Sequence, residues 1–299
     1  MSNKKFCDLH CHSTFSDGSC TPQELVDLAV ASGLGAIALT DHNTIDGHQG
    51  FIDAAKDRME VCAGCEFTTE ADGQELHLLG MFLDSVKSDH IKCELAAQQE
   101  RKETSNRLTI DKLAEAGYPL SYQEFVEIYG DGSKNRVHIA SYLKLKGIVS
   151  TIQDAFRNLL ANDSKFLYKS PKMAFYDIIR LINDAGGVTV WAHPLVDVDR
   201  HTCRVILDRA VALGLDGVEV RHSKFSVDDI LFMESLCKEY NLLPSGGSDF
   251  HGSNKPEVSL GIGKGNLRVP YEWYQQLRTR AEEKRAMIKQ ITAIPSHGL

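Results

Sequence analysis

The chain has 299 residues, 42 % of them apolar and 25 % charged, with a net charge of −8. That length suits one large domain or a core domain with an insert, and the apolar content suits a sizeable core. Duplex nucleic acid is bound through a basic surface that this acidic balance does not supply, although a local basic cleft stays open. No signal peptide or membrane span is visible, so a cytoplasmic protein that does not engage membranes is expected. The 8 cysteines are scattered and read as reduced thiols. Cys62 and Cys65 form a Cys-x-x-Cys. With no second pair for a zinc knuckle and no helix start for a redox pair, they read as small buried thiols beside a strand end.

In chain order, Phe6 and Leu9 frame a short buried strand that leads into Asp8-Leu9-His10-Cys11-His12. Side chains two apart on a strand share a face, so His10 and His12 point the same way and can share one cation. Thr21-Pro22-Gln23-Glu24 opens a helix as a capping box, with Leu25, Leu28 and Ala29 inward and Gly33 ending it. A buried strand over 36–39 runs into Thr40-Asp41-His42, and a helix follows near 47–58. The strand over 59–63 ends in Gly64-Cys65-Glu66, and residues 66–69 and 76–82 suit a hairpin across Ala71-Asp72-Gly73. From about Ser88 to Ser170 the chain turns polar and helical, with Ser121-x-x-Glu124 as another capping box. Alternation resumes with a helix opened by Ser170-Pro171 and closed by Gly186-Gly187, then a strand over 188–192. A helix over 204–213, a strand over 218–220, a helix capped by Ser226, a strand over 242–245 and a final helix over 271–290 complete the pattern. The last residues are expected to fray. Repeated strand-then-helix units mean a parallel sheet. Gly261-Ile262-Gly263-Lys264-Gly265 is too short and badly placed for a phosphate loop and reads as a turn.

Polar residues collect at one end of these strands. His10, His12, His42, Glu66, His193, Asp249 and His251 all lie at or just past a strand's C-terminal end, and His77 lies in the hairpin. In a barrel of parallel strands those ends converge on one face. Imidazoles with carboxylates and no clear thiolate suit Mn²⁺, Fe²⁺ or Zn²⁺. The set exceeds what one ion needs, so two or three ions sharing Glu66 as a bridge are expected. Ions about 3.5–4 Å apart can generate a hydroxide and clamp the oxygens of a displacement at phosphorus.

At these residues the chain resembles the polymerase-and-histidinol-phosphatase (PHP) family of metal-dependent phosphoesterases, within the amidohydrolase superfamily. The resemblance is carried by Asp8-Leu-His-Cys-His12, Phe15-Ser-Asp-Gly18, Thr40-Asp-His42, Gly64-Cys-Glu66, Glu75-Leu-His77, Ala192-His-Pro194 and Ser248-Asp-Phe-His251, in family order. It implies an α/β fold, a distorted (β/α)₇ barrel in two parts, 1–87 and 171–299, around an inserted helical subdomain, 88–170, that caps the substrate. It also implies a trinuclear site, manganese first. His10, His12, Glu66 and Asp249 would hold one ion, Glu66, His77 and His193 the second, and Asp17, His42 and His251 the third. Asp17, in a Ser-Asp-Gly loop, reads from its residues alone as a turn; the resemblance promotes it.

The chain is most similar to the branch of nucleoside 3′,5′-bisphosphate phosphatases, and also to a branch acting on five-membered cyclic ribose phosphates. In this branch a segment of the insert contacts substrate phosphate. Here that segment is Ser133-Lys134-Asn135-Arg136-Val137-His138-Ile139-Ala140, with Arg136 and His138 matching and Lys134-Asn135 departing from the pattern. The function expected is hydrolysis of a small phosphate monoester, the 3′-phosphate of a nucleoside bisphosphate, by a metal-bridging hydroxide. Glu66 and Asp249 anchor the centre, His222 protonates the leaving oxygen and Arg221 holds a phosphate oxygen; a solvated loop is the competing reading of the last two. The alternatives are a phosphodiesterase opening a cyclic ribose phosphate and a 5′–3′ exonuclease on short oligonucleotides. Histidinol-phosphate phosphatase, a metal-binding module without catalysis and a DNA-polymerase accessory domain rank below them. The partner expected is a nucleotide or sugar phosphate; the sequence leaves the oligomeric state open.

Overall fold

The structure, a computed structural model, describes residues 6–84, 89–130 and 134–292. Ser88 at the expected start of the insert, Ser133 of the phosphate segment, the first five residues and the tail expected to fray lie outside the described residues. The elements are β1 (Phe6–Asp8), α1 (Pro22–Ala31), β2 (Ala36–Leu39), α2 (His48–Ala55), β3 (Glu60–Ala63), β4 (Cys65–Ala71), β5 (Gln74–Met81), α3 (Asp89–Glu115), α4 (Tyr122–Tyr129), α5 (Arg136–Leu145) and α6 (Ile152–Asn158). They continue with β6 (Met173–Ala174), α7 (Phe175–Asp184), β7 (Val188–Trp191), α8 (Pro194–Asp197), α9 (Arg200–Ala212), β8 (Gly217–His222), α10 (Val227–Tyr240), β9 (Leu243–Gly247), β10 (Val269–Pro270) and α11 (Tyr271–Thr292).

The chain divides into two units, one formed up to Cys93 and from Met173 onward, the other by Glu94–Lys172. The first is a mixed α/β fold with two sheets, in the orders β10-β1-β2-β3 and β6-β4-β5-β7-β8-β9. Neighbours within β1-β2-β3 and within β7-β8-β9 are parallel, as strand–helix alternation demands. The hairpin falls where its turn chemistry puts it: β4 and β5 pair antiparallel from Cys65↔Gly80 to Ala71↔Gln74, with Asp72 and Gly73 at positive φ in the turn. Strands of both sheets line one core of Cys7, Leu9, Ala38, Leu79, Val190 and Ala192, closed below by Tyr274 and Leu277 of α11. Backbone bonds also cross between the sheets, from Leu9 N to Gly246 O at 3.1 Å and from Leu83 N to Ala63 O at 2.8 Å.

Several local readings shift for identifiable reasons. In α1 the buried stripe is Pro22, Leu25, Val26 and Ala29, the i, i+3, i+4, i+7 set, and Leu28 falls outside that phase and is exposed. The helix expected at Ser170-Pro171 begins at Phe175, because Met173 and Ala174 first pair with β4 as a parallel edge. The helix expected at 204 starts at Arg200, where the Asp199 carboxylate accepts the N–H groups of His201 and Thr202. Before α11, β10 pairs antiparallel with β1, a two-residue strand too short for periodicity to reveal.

The second unit is helical and carries its own apolar core, including Leu113, Phe125, Tyr142, Leu143 and Leu160. Its polar surface sequence had concealed that core. Ser121 caps α4 through the N–H of Glu124, but the Glu124 carboxylate bonds the Tyr142 hydroxyl and Lys146 instead of returning to the cap.

Two glycines test this account of the first unit. A Cβ on Gly247 would lie 2.3 Å from the Cβ of His10 and 2.4 Å from its backbone nitrogen, so β9 can approach the His10 segment only without a side chain. Gly247→Ala should destabilise the metal-stripped chain by about 1–3 kcal/mol, the usual cost of overpacking. Gly50, in α2 with open space around its Cβ position, should gain about 0.5–1 kcal/mol on substitution by Ala. Chemical denaturation of both variants checks the pair; equal effects would contradict the packing described.

Candidate metal centre

The centre is built from segments that leave successive strands. Past β1, extended backbone carries His10 and His12 to the same side, and their Nε2 atoms stand 3.1 Å apart. Glu66, in β4, is fully enclosed and divides its carboxylate between two groups of histidines. Its Oε2 lies 3.2 Å from the Nε2 of His10, 3.2 Å from that of His12 and 3.0 Å from Nδ1 of His42. Its Oε1 lies 3.0 Å from His77 Nδ1 and 3.1 Å from His193 Nε2. Asp249 turns Oδ1 toward His12 at 3.4 Å and His10 at 3.8 Å, and Oδ2 toward Lys255 at 2.8 Å and His222 at 3.7 Å. Asp17 reaches His251 Nε2 at 3.2 Å and His42 Nε2 at 3.8 Å. Three sets of donor atoms are each close enough to hold an ion: His10, His12 and Glu66; Glu66, His77 and His193; and His12, Asp17, His42 and His251.

These residues fit divalent ions on chemical grounds. Two imidazole nitrogens facing each other repel unless a proton or cation lies between them. Buried Glu66 Oε2, His42 Nδ1, His222 Nε2 and His251 Nε2 make no hydrogen bond, although charged or polar atoms crowd them. Buried polar atoms without partners are costly, and a shared cation removes that cost. His193 and Asp249 both have left-handed backbones, φ 30° and 58°, which costs on the order of 1–3 kcal/mol each and is found where a site dictates geometry.

Behind these groups stand buried carboxylates, Asp8 and Asp41 within the motif segments and Glu219 outside them, to which the sequence assigns no role. Asp8 accepts from Ser248 N at 2.8 Å, Ser248 Oγ and Gly261 N at 2.7 Å, fixing the loop before Asp249. Asp41 accepts from Ser13 N at 2.7 Å and from the Ser13 and Ser16 hydroxyls at 2.6 Å, fixing the loop before Asp17. Glu219 meets His10 Nδ1 at 3.0 Å and accepts the His193 backbone N–H at 2.6 Å. The sequence signal was present: a carboxylate inside Val218-Glu219-Val220 has to be buried, and a buried charge needs partners.

Burial opposes protonation of His12 and His193, yet hydrogen bonds to carboxylates outweigh it and lift both to about 9. His77 rises to about 10 against the same burial, chiefly through Glu66. Glu66 is held well below the carboxylate range because the charges of His42, His10 and His77 outweigh its own burial. Burial depresses His222 despite its contact with Asp249.

Of the two expected substrate residues in the first unit, His222 lies by these groups and Arg221 does not. A cavity of 160 Å³ is lined by His42, Glu66, His77, His193, His222 and Asp249, together with Val196, Asp197, Lys224 and Lys255. Arg221 does not line it. The pairing of β8 with β9 shifts register between Glu219 and Arg221, so Glu219 and His222 face the centre. Arg221 instead donates to Arg268 O and lies over Trp273. Arg136 and His138 belong to the helical unit. The Arg136 guanidinium donates to Asn162 Oδ1 at 2.7 Å and Leu160 O at 3.3 Å and packs on Phe156, which ties it to that unit's own fold. His138 Nδ1 accepts from the Asn135 backbone N–H at 3.1 Å, closing the cap of α5. Lys224 and Lys255 carried no motif, and only folding brings them to the cavity. Cys62 and Cys65 are buried, free thiols, as their isolation suggested.

Histidines lifted to about 9 and 10 carry protons at neutral pH, and an ion must displace them. Mn²⁺ binding to the stripped chain should therefore release protons and tighten as pH rises from 6 to 9. Calorimetry in buffers of different ionisation enthalpy measures the release; binding without release would contradict the protonation described. Glu66→Gln removes the charge both histidine groups share and should weaken ion binding by at least the 10–100-fold typical of supporting residues.

A model of the PHP domain matches residues 8–174. A 5′-3′ exoribonuclease of Haemophilus influenzae is 34 % identical over 83 % of this chain and 90 % of its own length. A 3′,5′-nucleoside bisphosphate phosphatase of Chromobacterium violaceum is 29 % identical over 85 % of this chain and 90 % of its own. A solved structure of a candidate metal-dependent phosphoesterase from Bifidobacterium adolescentis superposes with a TM-score of 0.76 at 26 % identity, covering 92 % of this chain and 96 % of that one. The donor geometry and these matches lead to one conclusion: the chain belongs to the PHP-domain family and is a metal-dependent phosphoesterase.

Proposed function

We propose that the chain hydrolyses the ester between a nucleoside 3′ oxygen and phosphorus in a nucleotide that carries a second phosphate, a 3′,5′-bisphosphate before others. The observation that carries this reading is the small cavity in which ligand-type groups meet one imidazole, His222, and two ammonium groups, Lys224 and Lys255. Two or three divalent ions, manganese before iron or zinc, would be held by His10, His12, Glu66 and Asp249, by Glu66, His77 and His193, and by Asp17, His42 and His251. When bound they supply an activated water nucleophile and neutralise phosphoryl oxygens.

The remaining steps fall to the chain's own groups. The Lys224 backbone N–H points at His222 Nδ1 at 3.3 Å, which leaves the proton on Nε2, the atom beside Asp249. With its pKa depressed, His222 is neutral at pH 7 and offers the leaving oxygen a hydrogen bond from Nε2–H, while the proton that completes the alcohol comes from water. Asp249 holds the Lys255 ammonium at 2.8 Å, orienting a cation toward substrate phosphate. Lys224, exposed, adds a second positive group on a chain that is acidic overall. These lysines take the phosphate role first assigned to Arg221. Backbone bonds that join the segment just past β1 to β9, and the segment just past β5 to β3, support closure as a (β/α)₇ barrel. Among the described residues no helix is long and apolar enough to cross a membrane.

A second reading, exonucleolytic release from the 5′ end of short RNA, is favoured by the Haemophilus relative named an exoribonuclease. It breaks the same kind of ester, with the phosphorus joined to a further nucleotide. Initial rates with Mn²⁺ on a nucleoside 3′,5′-bisphosphate, a 5′-phosphorylated oligoribonucleotide, a nucleoside 3′-monophosphate and a cyclic ribose phosphate separate these. The bisphosphate is expected to give the highest kcat/KM and the monophosphate a much lower one. A higher value on RNA selects the second reading, and a highest value on the cyclic phosphate overturns both. Lys255→Met should lower kcat/KM by about ten- to a hundredfold, the equivalent of a charge-assisted contact of about 1.5–3 kcal/mol.

A further inference from the structure

Glu219 is wholly enclosed in β8, and its two oxygens go to residues of two different donor sets. Oε1 lies 3.0 Å from His10 Nδ1, and Oε2 accepts the His193 N–H at 2.6 Å. His10 belongs to the set that meets Glu66 Oε2, and His193 to the set that meets Glu66 Oε1. The two glutamates thus bridge the same two sets, Glu66 through ligand atoms and Glu219 from behind them. Among the buried carboxylates, Asp8 and Asp41 bond backbone N–H groups and serine hydroxyls, whereas Glu219 also touches a ligand ring.

We propose that Glu219 is a positioning residue that makes two ion positions load as a pair. An ionised carboxylate only accepts, so it holds the proton of His10 on Nδ1 and turns the Nε2 lone pair toward His12 and Glu66. The same carboxylate holds the His193 backbone in its left-handed conformation, φ 30°, which sets where that ring points. A change at Glu219 therefore disturbs His10 and His193 together. Glutamine in its place can keep the bond to His193 N–H only by turning its amide NH₂ toward His10. That donor would draw the proton to His10 Nε2 and remove the ligand lone pair.

The inference rests on the metal-centre reading, and the test separates the two. The full chain, stripped of metal, is titrated with Zn²⁺ by calorimetry as wild type, as Glu219→Ala, which loses both bonds, and as Glu219→Gln, which keeps the one to His193. Glu219→Ala should bind two ions about 10–100-fold more weakly and Glu219→Gln only one, with any further ion bound as in wild type. Weakening of one ion alone, or of none, in Glu219→Ala overturns the paired role while the metal centre stands. A wild type that binds no Zn²⁺ sinks both. Should Glu219→Ala not fold, ¹⁵N-histidine NMR of the Zn²⁺-loaded wild type decides. His10 is expected with its proton on Nδ1 and Nε2 bound to metal; a proton on Nε2 overturns the proposal. A merely structural glutamate would lower the melting temperature and leave both the His10 tautomer and the Zn²⁺ affinities of the folded variant unchanged.

Discussion

One buried carboxylate, Glu66, sets the terms for the catalytic unit. Five imidazoles stand within 3.2 Å of its two oxygens, and the carboxylate itself is enclosed. An unpaired charge in such a place costs several kcal/mol, and crowded imidazoles repel once protonated. The groups coexist because each can satisfy the others through protons or through shared cations. This frustration among the protein groups is the physical content of a metal centre: the geometry is over-determined by the scaffold and completed by ions.

The scaffold meets that demand by backbone devices rather than by bulk. Gly247 lets β9 lie against the His10 segment, a register shift in β8 turns Glu219 and His222 to the same side, and left-handed backbones at His193 and Asp249 aim these two side chains. Asp8 and Asp41 then pin the loops that bear Asp249 and Asp17 by accepting backbone N–H groups. Side chains so held need little reorganisation when charge develops beside them, which is where electrostatic catalysis gains most.

Recognition of substrate has a different basis. The net charge of −8 gives no long-range attraction for an anionic substrate, so local cations have to supply it. Lys224 and Lys255 stand at the cavity in the catalytic unit. The arginine that sequence pattern put forward in the helical unit is bonded within that unit.

Local chemistry in the sequence determined much of this. Thr21-Pro22-Gln23-Glu24 and Ser226 start helices by capping, Asp72-Gly73 turns a hairpin, and His and carboxylate residues repeat at strand ends, because each depends only on near neighbours. The period of two along extended backbone also put His10 and His12 together, although β1 itself ends at Asp8. Tertiary structure alone decided what depends on distant partners. Adjacent on a strand, Arg221 and His222 face opposite ways in any case; that His222 rather than Arg221 shares the side of Glu219 follows from the shift of β8 against β9, a pairing between segments more than twenty residues apart. Lys255 meets the centre through a loop, and the start of α7 yields to an edge pairing with β4. Glu219 shows the division most plainly: its burial could be read from the apolar strand around it, but His10 is 209 residues away in the chain, and only the fold brings them together.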